Sequence, residues 1–138
     1  MMVENNLTSG ENLGRSVVSS GQAKRARRSR VPFHLFLEKE GETRLSVDRL
    51  DVAAPKEAIQ IADRRATIRH RTVYGWAVVV VGEASANGRQ VIASPLLENP
   101  YHADIILPDA VIEDREEQKR HAKELADAST WRDRARGV

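Results

Sequence analysis

Three observations place this chain among α+β proteins: short alternating or β-branched apolar runs, two segments at helical spacing, and turn residues between them. They predict a small, mostly antiparallel sheet in the order ββαβββα, behind a disordered N-terminal arm. The 138 residues leave room for one domain. Its divisions are a basic arm over 1–30, an α+β core over 31–108, and a charged C-terminal helix over 109–138. That last helix packs on the core or on a partner.

The arm is read from what it lacks. From Val3 to Ser29, only Leu7, Leu13, Val17 and Val18 offer apolar contacts. Such a segment buries too little surface to offset an ordering entropy of roughly 1–2 kcal/mol per residue. It ends in the run Lys24-Arg25-Ala26-Arg27-Arg28-Ser29-Arg30.

The core opens with Phe33, Leu35 and Leu37 alternating with His34, Phe36 and Glu38, the period of a strand. Lys39 to Glu42 is a turn, and Arg44 to Arg49 is a second strand, making a hairpin. Pro55 suits the first turn of a helix, where its missing N–H costs nothing. Ala58, Ile59, Ala62 and Ala66 continue that helix to about Ile68. The run Tyr74 to Glu83, with four successive valines, reads as a central strand covered on both faces. Asn87-Gly88 is a hairpin turn signal, with Gln90 to Leu96 as the antiparallel partner. His102 to Leu107 is the last strand. Asp109 is a helix N-cap candidate, and the helix then runs from Ala110 to about Ala128 with few apolar positions. Glu116–Arg120 and Glu117–His121 fall at i,i+4 spacing. The end from Trp131 to Arg136 is expected to fray unless that tryptophan anchors it.

Charge is uneven. The net charge of +2 divides into +4 on residues 1–30 and −2 on the remainder. Attraction for a polyanion therefore rests on the arm or on a local patch. The cations available are Lys24, Arg25, Arg27, Arg28 and Arg30, joined by Arg64, Arg65, Arg69 and Arg71 beside the second helix's C-terminus. Each set has a plainer explanation, as a solubilising tail or as complement to a helix dipole. The absence of cysteine excludes disulfides and thiolate metal sites and fits a reducing cytoplasm. No apolar run is long enough to span a bilayer, and no secretory signal pattern is evident.

Few residues suggest chemistry. His102 and Asp104, two apart on a strand, project from one face, as a general base and its orienting carboxylate would. If His34 faced them with Arg49 nearby, a metal-independent RNA-cleaving site would result. The bland alternative is a histidine hydrogen-bonded near a turn. Asp48 and Arg49 raise the question of an ion pair with each other or with Asp104. No phosphate-binding glycine loop, dinucleotide fingerprint, HExxH, Gly-x-Ser-x-Gly or zinc spacing occurs. No metal site and no cofactor are expected.

The texture Leu45-Ser46-Val47-Asp48-Arg49, then Gly75-Trp76-Ala77-Val78, then Asn99-Pro100-Tyr101-His102-Ala103-Asp104-Ile105 resembles a group of short bacterial proteins with no assigned function. The resemblance implies a bacterial, cytoplasmic setting and transfers no activity or site. The leading expectation is a non-enzymatic accessory or binding module, contacting nucleic acid or a nucleic-acid-binding protein through the arm. The alternatives are a small hydrolase or RNA-cleaving toxin, and a structural subunit of a larger complex.

Overall fold

The computed structural model describes residues 7–134. Its centre is a six-stranded sheet formed by β1 (Asn12–Val17), β2 (Arg44–Arg49), β3 (Gly75–Val80), β4 (Gln90–Ala93), β5 (His102–Ile106) and β6 (Thr130–Asp133). The spatial order is β4-β5-β2-β1-β3-β6, and every neighbouring pair is antiparallel. The helices are α1 (Ser20–Arg28), α2 (Pro55–Ile68), the single turn α3 (Val81–Ala84) and α4 (Arg115–Ala128). The class is α+β, as the sequence indicates.

Alternation divides the side chains between two faces. Leu13, Val17, Leu45, Val47, Ala77, Val79, Ala103 and Ile105 face one core, closed by Leu35, Phe36, Ala122 and Leu125. On the other face Leu50, Trp76 and Val78 pack under Ala58, Ile59, Ala62 and Ala66 of α2. The valine run is thus covered on both sides, as its composition requires. This second core belongs to the β1–β3 side of the sheet, while Ser46 of β2 and Ile92 of β4 remain exposed. That uncovered half is where the site lies.

Five local expectations are corrected. First, the arm divides: residues 1–6 lie outside the described residues, but Asn12–Val17 is a strand deep inside the sheet and Ser20–Arg28 is a helix. Leu13 and Val17 are wholly buried because the sheet supplies the apolar partners that the segment lacks in isolation. Ser19 caps α1 by accepting from Gln22 N–H at 3.2 Å. Second, Phe33–Phe36 is a 3₁₀ turn, not a strand, and its consecutive Leu35 and Phe36 are both buried. No hairpin joins it to β2, whose two edges are occupied by β1 and β5.

Third, Gln90–Ala93 does not pair with β3. Both edges of β3 are taken, by β1 and β6, so α3 turns the chain away and β4 joins β5. Asn87 and Gly88 do adopt the positive φ of a tight turn. Fourth, the last helix starts at Arg115, capped by Asp114 rather than Asp109, which sits in a short 3₁₀ turn. Arg120 pairs with Glu117 and Glu124, and Glu116 with Lys119, so the predicted i,i+4 partners are exchanged for near neighbours. Fifth, the expected fraying does not occur over Thr130–Asp133, which forms a strand, and residues 135 and 136 lie outside the described residues. Trp131 anchors β6 on β3, its Nε1–H donating to Asp133 at 2.9 Å and its ring lying under the Arg27 guanidinium. Gly75 permits this approach, since a Cβ there would stand 2.4 Å from the Arg132 carbonyl oxygen.

Candidate nucleic-acid interface

The site grows from a fork in the sheet. β1 pairs with β3 along its whole length but with β2 only at Leu13↔Arg49 and Gly14↔Asp48. Beyond Gly14 the two strands share no registered pair. Arg15 fills the gap, donating from Nε to the Leu35 carbonyl and from Nη1 to the Ser46 carbonyl, both at 2.8 Å. Its guanidinium also pairs with Glu38, so its charge is consumed internally.

Asp48 and the Asn99–Asp104 segment do meet. The buried Asp48 carboxylate accepts from Arg65 of α2 at 3.1 and 2.8 Å and from Asn99 Nδ2 at 2.8 Å. Asn99 Oδ1 in turn accepts the Tyr101 N–H at 3.0 Å. These bonds tie α2, β2 and the turn before β5 into one rigid wall. Arg49 is elsewhere. Strand alternation sends it to the opposite face, where it is 1% exposed and bonds Glu11 at 2.7 and 3.0 Å. It pairs with neither Asp48 nor Asp104, and it stands apart from the histidines.

His102 lies opposite Asp48 in the β2–β5 register, and Asp104 opposite Ser46. Ser94 links them: its Oγ is 2.8 Å from His102 Nδ1 and 2.9 Å from Asp104 Oδ2. Arg44 completes the group, 3.1 Å from Asp104 Oδ2. The sequence reading identified His102 and Asp104 but missed Ser94 and Arg44. The available signal was the return through Pro95 and Asn99-Pro100, which brings residue 94 back beside residue 102.

Two clefts open around this wall. One, of about 720 Å³, is lined by Ser16, Ser46, Asp48, Arg65, Asn99 and His102, with Arg44, Arg69 and Arg71 also on its border. The other, of about 400 Å³, is lined by Arg25, Arg30, Phe33, Lys123 and Asp127. His34 lines both. Its ring leans on Phe33 with centroids 4.1 Å apart, and Lys123 lies 5.3 Å from the same Phe33 ring. His34 and His102 therefore share the larger cleft.

The predicted cations fall into two kinds. Arg27 pairs with Asp133 and Arg65 with Asp48. Lys24, Arg25, Arg28, Arg30, Arg64, Arg69 and Arg71 are exposed, and among the described residues they carry no ion pair. Glu42 and Glu98 also border the larger cleft and offset part of its positive field. No group of three or more metal-ligating side chains occurs among the described residues, and no described helix is long and apolar enough to cross a membrane. No protein-family model, curated protein or solved structure matches the chain.

Proposed function

We propose that this chain is a nucleic-acid-binding module that follows a single-stranded phosphate backbone across the two clefts. The observation that carries this reading is that His34 borders both clefts, so Arg25 and Arg30 on one side and Arg69 and Arg71 on the other adjoin one continuous surface. Seven exposed guanidinium or ammonium groups without ion-pair partners supply charge that internal bonds do not use. Among the described residues Phe33 is the one Phe, Tyr or Trp lining either cleft, which favours phosphate contacts over base stacking and hence weak sequence preference. The cysteine-free composition supports a cytoplasmic setting, and the resemblance noted above supports a bacterial one.

Fluorescence anisotropy with a labelled oligoribonucleotide of about 12 nucleotides tests the reading. Binding is expected at low salt, with affinity reduced at least about tenfold when Arg25, Arg30, Arg69 and Arg71 are all replaced by Gln. Equal affinity of that variant and the parent would refute it. The substitutions are chosen because these side chains make no internal bonds, so the fold should tolerate them.

A further inference from the structure

The hydrogen bonds around His102 fix its proton. Ser94 Oγ has one hydrogen, and Asp104 Oδ2, 2.9 Å away, is a carboxylate oxygen that can only accept it. Ser94 Oγ must then accept from His102 Nδ1, 2.8 Å away. The Ser94 carbonyl oxygen, 3.0 Å from the same nitrogen, also accepts only. Both contacts require the proton on Nδ1, which leaves Nε2 of neutral His102 with a bare lone pair. Asp104 Oδ1 stands 3.9 Å from Nε2. This is a base held in one tautomer by two partners, on the wall of a cleft that contains a second histidine.

We propose that His102 and His34 cleave RNA bound in the larger cleft, without a metal ion; this rests on the binding reading above. His102 Nε2 removes the proton of a ribose 2′-hydroxyl. The 2′-oxygen bonds to the adjacent phosphorus, the bond from phosphorus to the 5′-oxygen breaks, and protonated His34 gives that oxygen its proton. The products are a 2′,3′-cyclic phosphate and a 5′-hydroxyl, with no oxidation and no added reactant. Arg44 and Arg69 border the same cleft and carry the charge needed beside the pentacoordinate phosphate. Ser94 is a positioning residue: it touches no substrate and acts by holding the His102 tautomer. Asp104 has the same role. The His34 side chain is exposed and its ring nitrogens bond to no described residue, so they are available to substrate.

The test incubates the full-length chain with single-stranded RNA in excess EDTA, beside the same sequence in all-deoxy form. The expected result is EDTA-resistant cleavage leaving 2′,3′-cyclic phosphate ends, with the deoxy strand bound but intact. His102→Asn keeps a donor toward Ser94, and should lower cleavage by about 100-fold or more while binding changes by less than about threefold. His34→Gln should lower cleavage by a similar factor. Ser94→Ala should slow cleavage at unchanged affinity. Wild-type protein that binds RNA and leaves it intact overturns the cleavage proposal and leaves the binding reading standing. So does cleavage unaffected by His102→Asn. Failure to bind RNA at low salt overturns both.

Discussion

At the scale of single residues, the most consequential ones are buried and charged. Glu11 and Arg49 are 7% and 1% exposed and meet through two hydrogen bonds. Losing the Glu11 carboxylate takes two charge-assisted hydrogen bonds from the buried Arg49 guanidinium, at a cost of about 1.5–3 kcal/mol. Glu11→Ala should therefore lower the urea midpoint by that equivalent, and a midpoint close to the parent's would contradict the pairing. His121 makes a different demand. Its pKa is pushed down, first by burial and then by the positive charges of Arg89 and Arg120, against the opposing pull of Glu124 and Glu117. Arg89 Nη1 donates to its Nδ1 at 2.7 Å, which needs the neutral ring. The unfolded chain takes up this proton near pH 6.5 and the folded chain only at lower pH. Stability is thus fully present above about pH 6.5 and falls as pH drops through it, by at most about 1.4 kcal/mol per unit for one proton. His121→Gln should flatten urea midpoints measured from about pH 7 to pH 5.5; an unchanged slope in that variant would contradict the assignment. His102 and Asp104 were legible in the sequence because strand period alone puts them on one face. Ser94 was not, since its role depends on the β4–β5 register. Glu11 was hidden for the same kind of reason, lying in a segment whose partners are all distant in the chain.

At the scale of elements, β1 explains most of the discrepancies. Read locally, Asn12–Val17 has too few apolar residues to order itself, and an isolated segment is what a local reading judges. In the fold it lies between β2 and β3 and buries Leu13 and Val17 completely. Once β1 holds one edge of β3 and β6 the other, the Asn-Gly turn cannot deliver a hairpin onto β3. One hidden strand thus redirected the pairing of Gln90–Ala93, although the strands over Arg44–Arg49, Gly75–Val80 and His102–Ile106 and the helix over Pro55–Ile68 were readable from period and turn chemistry. A chain beginning at Val31 would lose β1 and leave β2 and β3 with bare edges in mid-sheet. It should show no cooperative urea transition by circular dichroism; a transition like that of the full chain would contradict the placement of β1. The β3–β6 contact makes a second prediction. Gly75→Ala places a Cβ against the Arg132 carbonyl and the Trp131 ring, and should cost about 1–3 kcal/mol in the same assay.

At the scale of the whole molecule, the division of charge first seen in the sequence takes on a shape. The arm's cations do not hang from a free tail: α1 fixes them beside the 3₁₀ turn, and His34 in that turn borders the cleft that Arg69 and Arg71 also border. Deleting the arm is therefore no test of binding, because it removes the central strand together with the charge. Selective neutralisation keeps the fold and asks the electrostatic question alone. Each phosphate contact contributes about 0.7 to the slope of log affinity against log salt for a single strand. The most direct measurement is that slope for the parent chain, for Arg25→Gln with Arg30→Gln, for Arg69→Gln with Arg71→Gln, and for all four together. One continuous surface predicts that each pair lowers the slope by about 1.4 and that the fourfold variant lowers it by about twice as much. A slope unmoved by either pair would contradict the account.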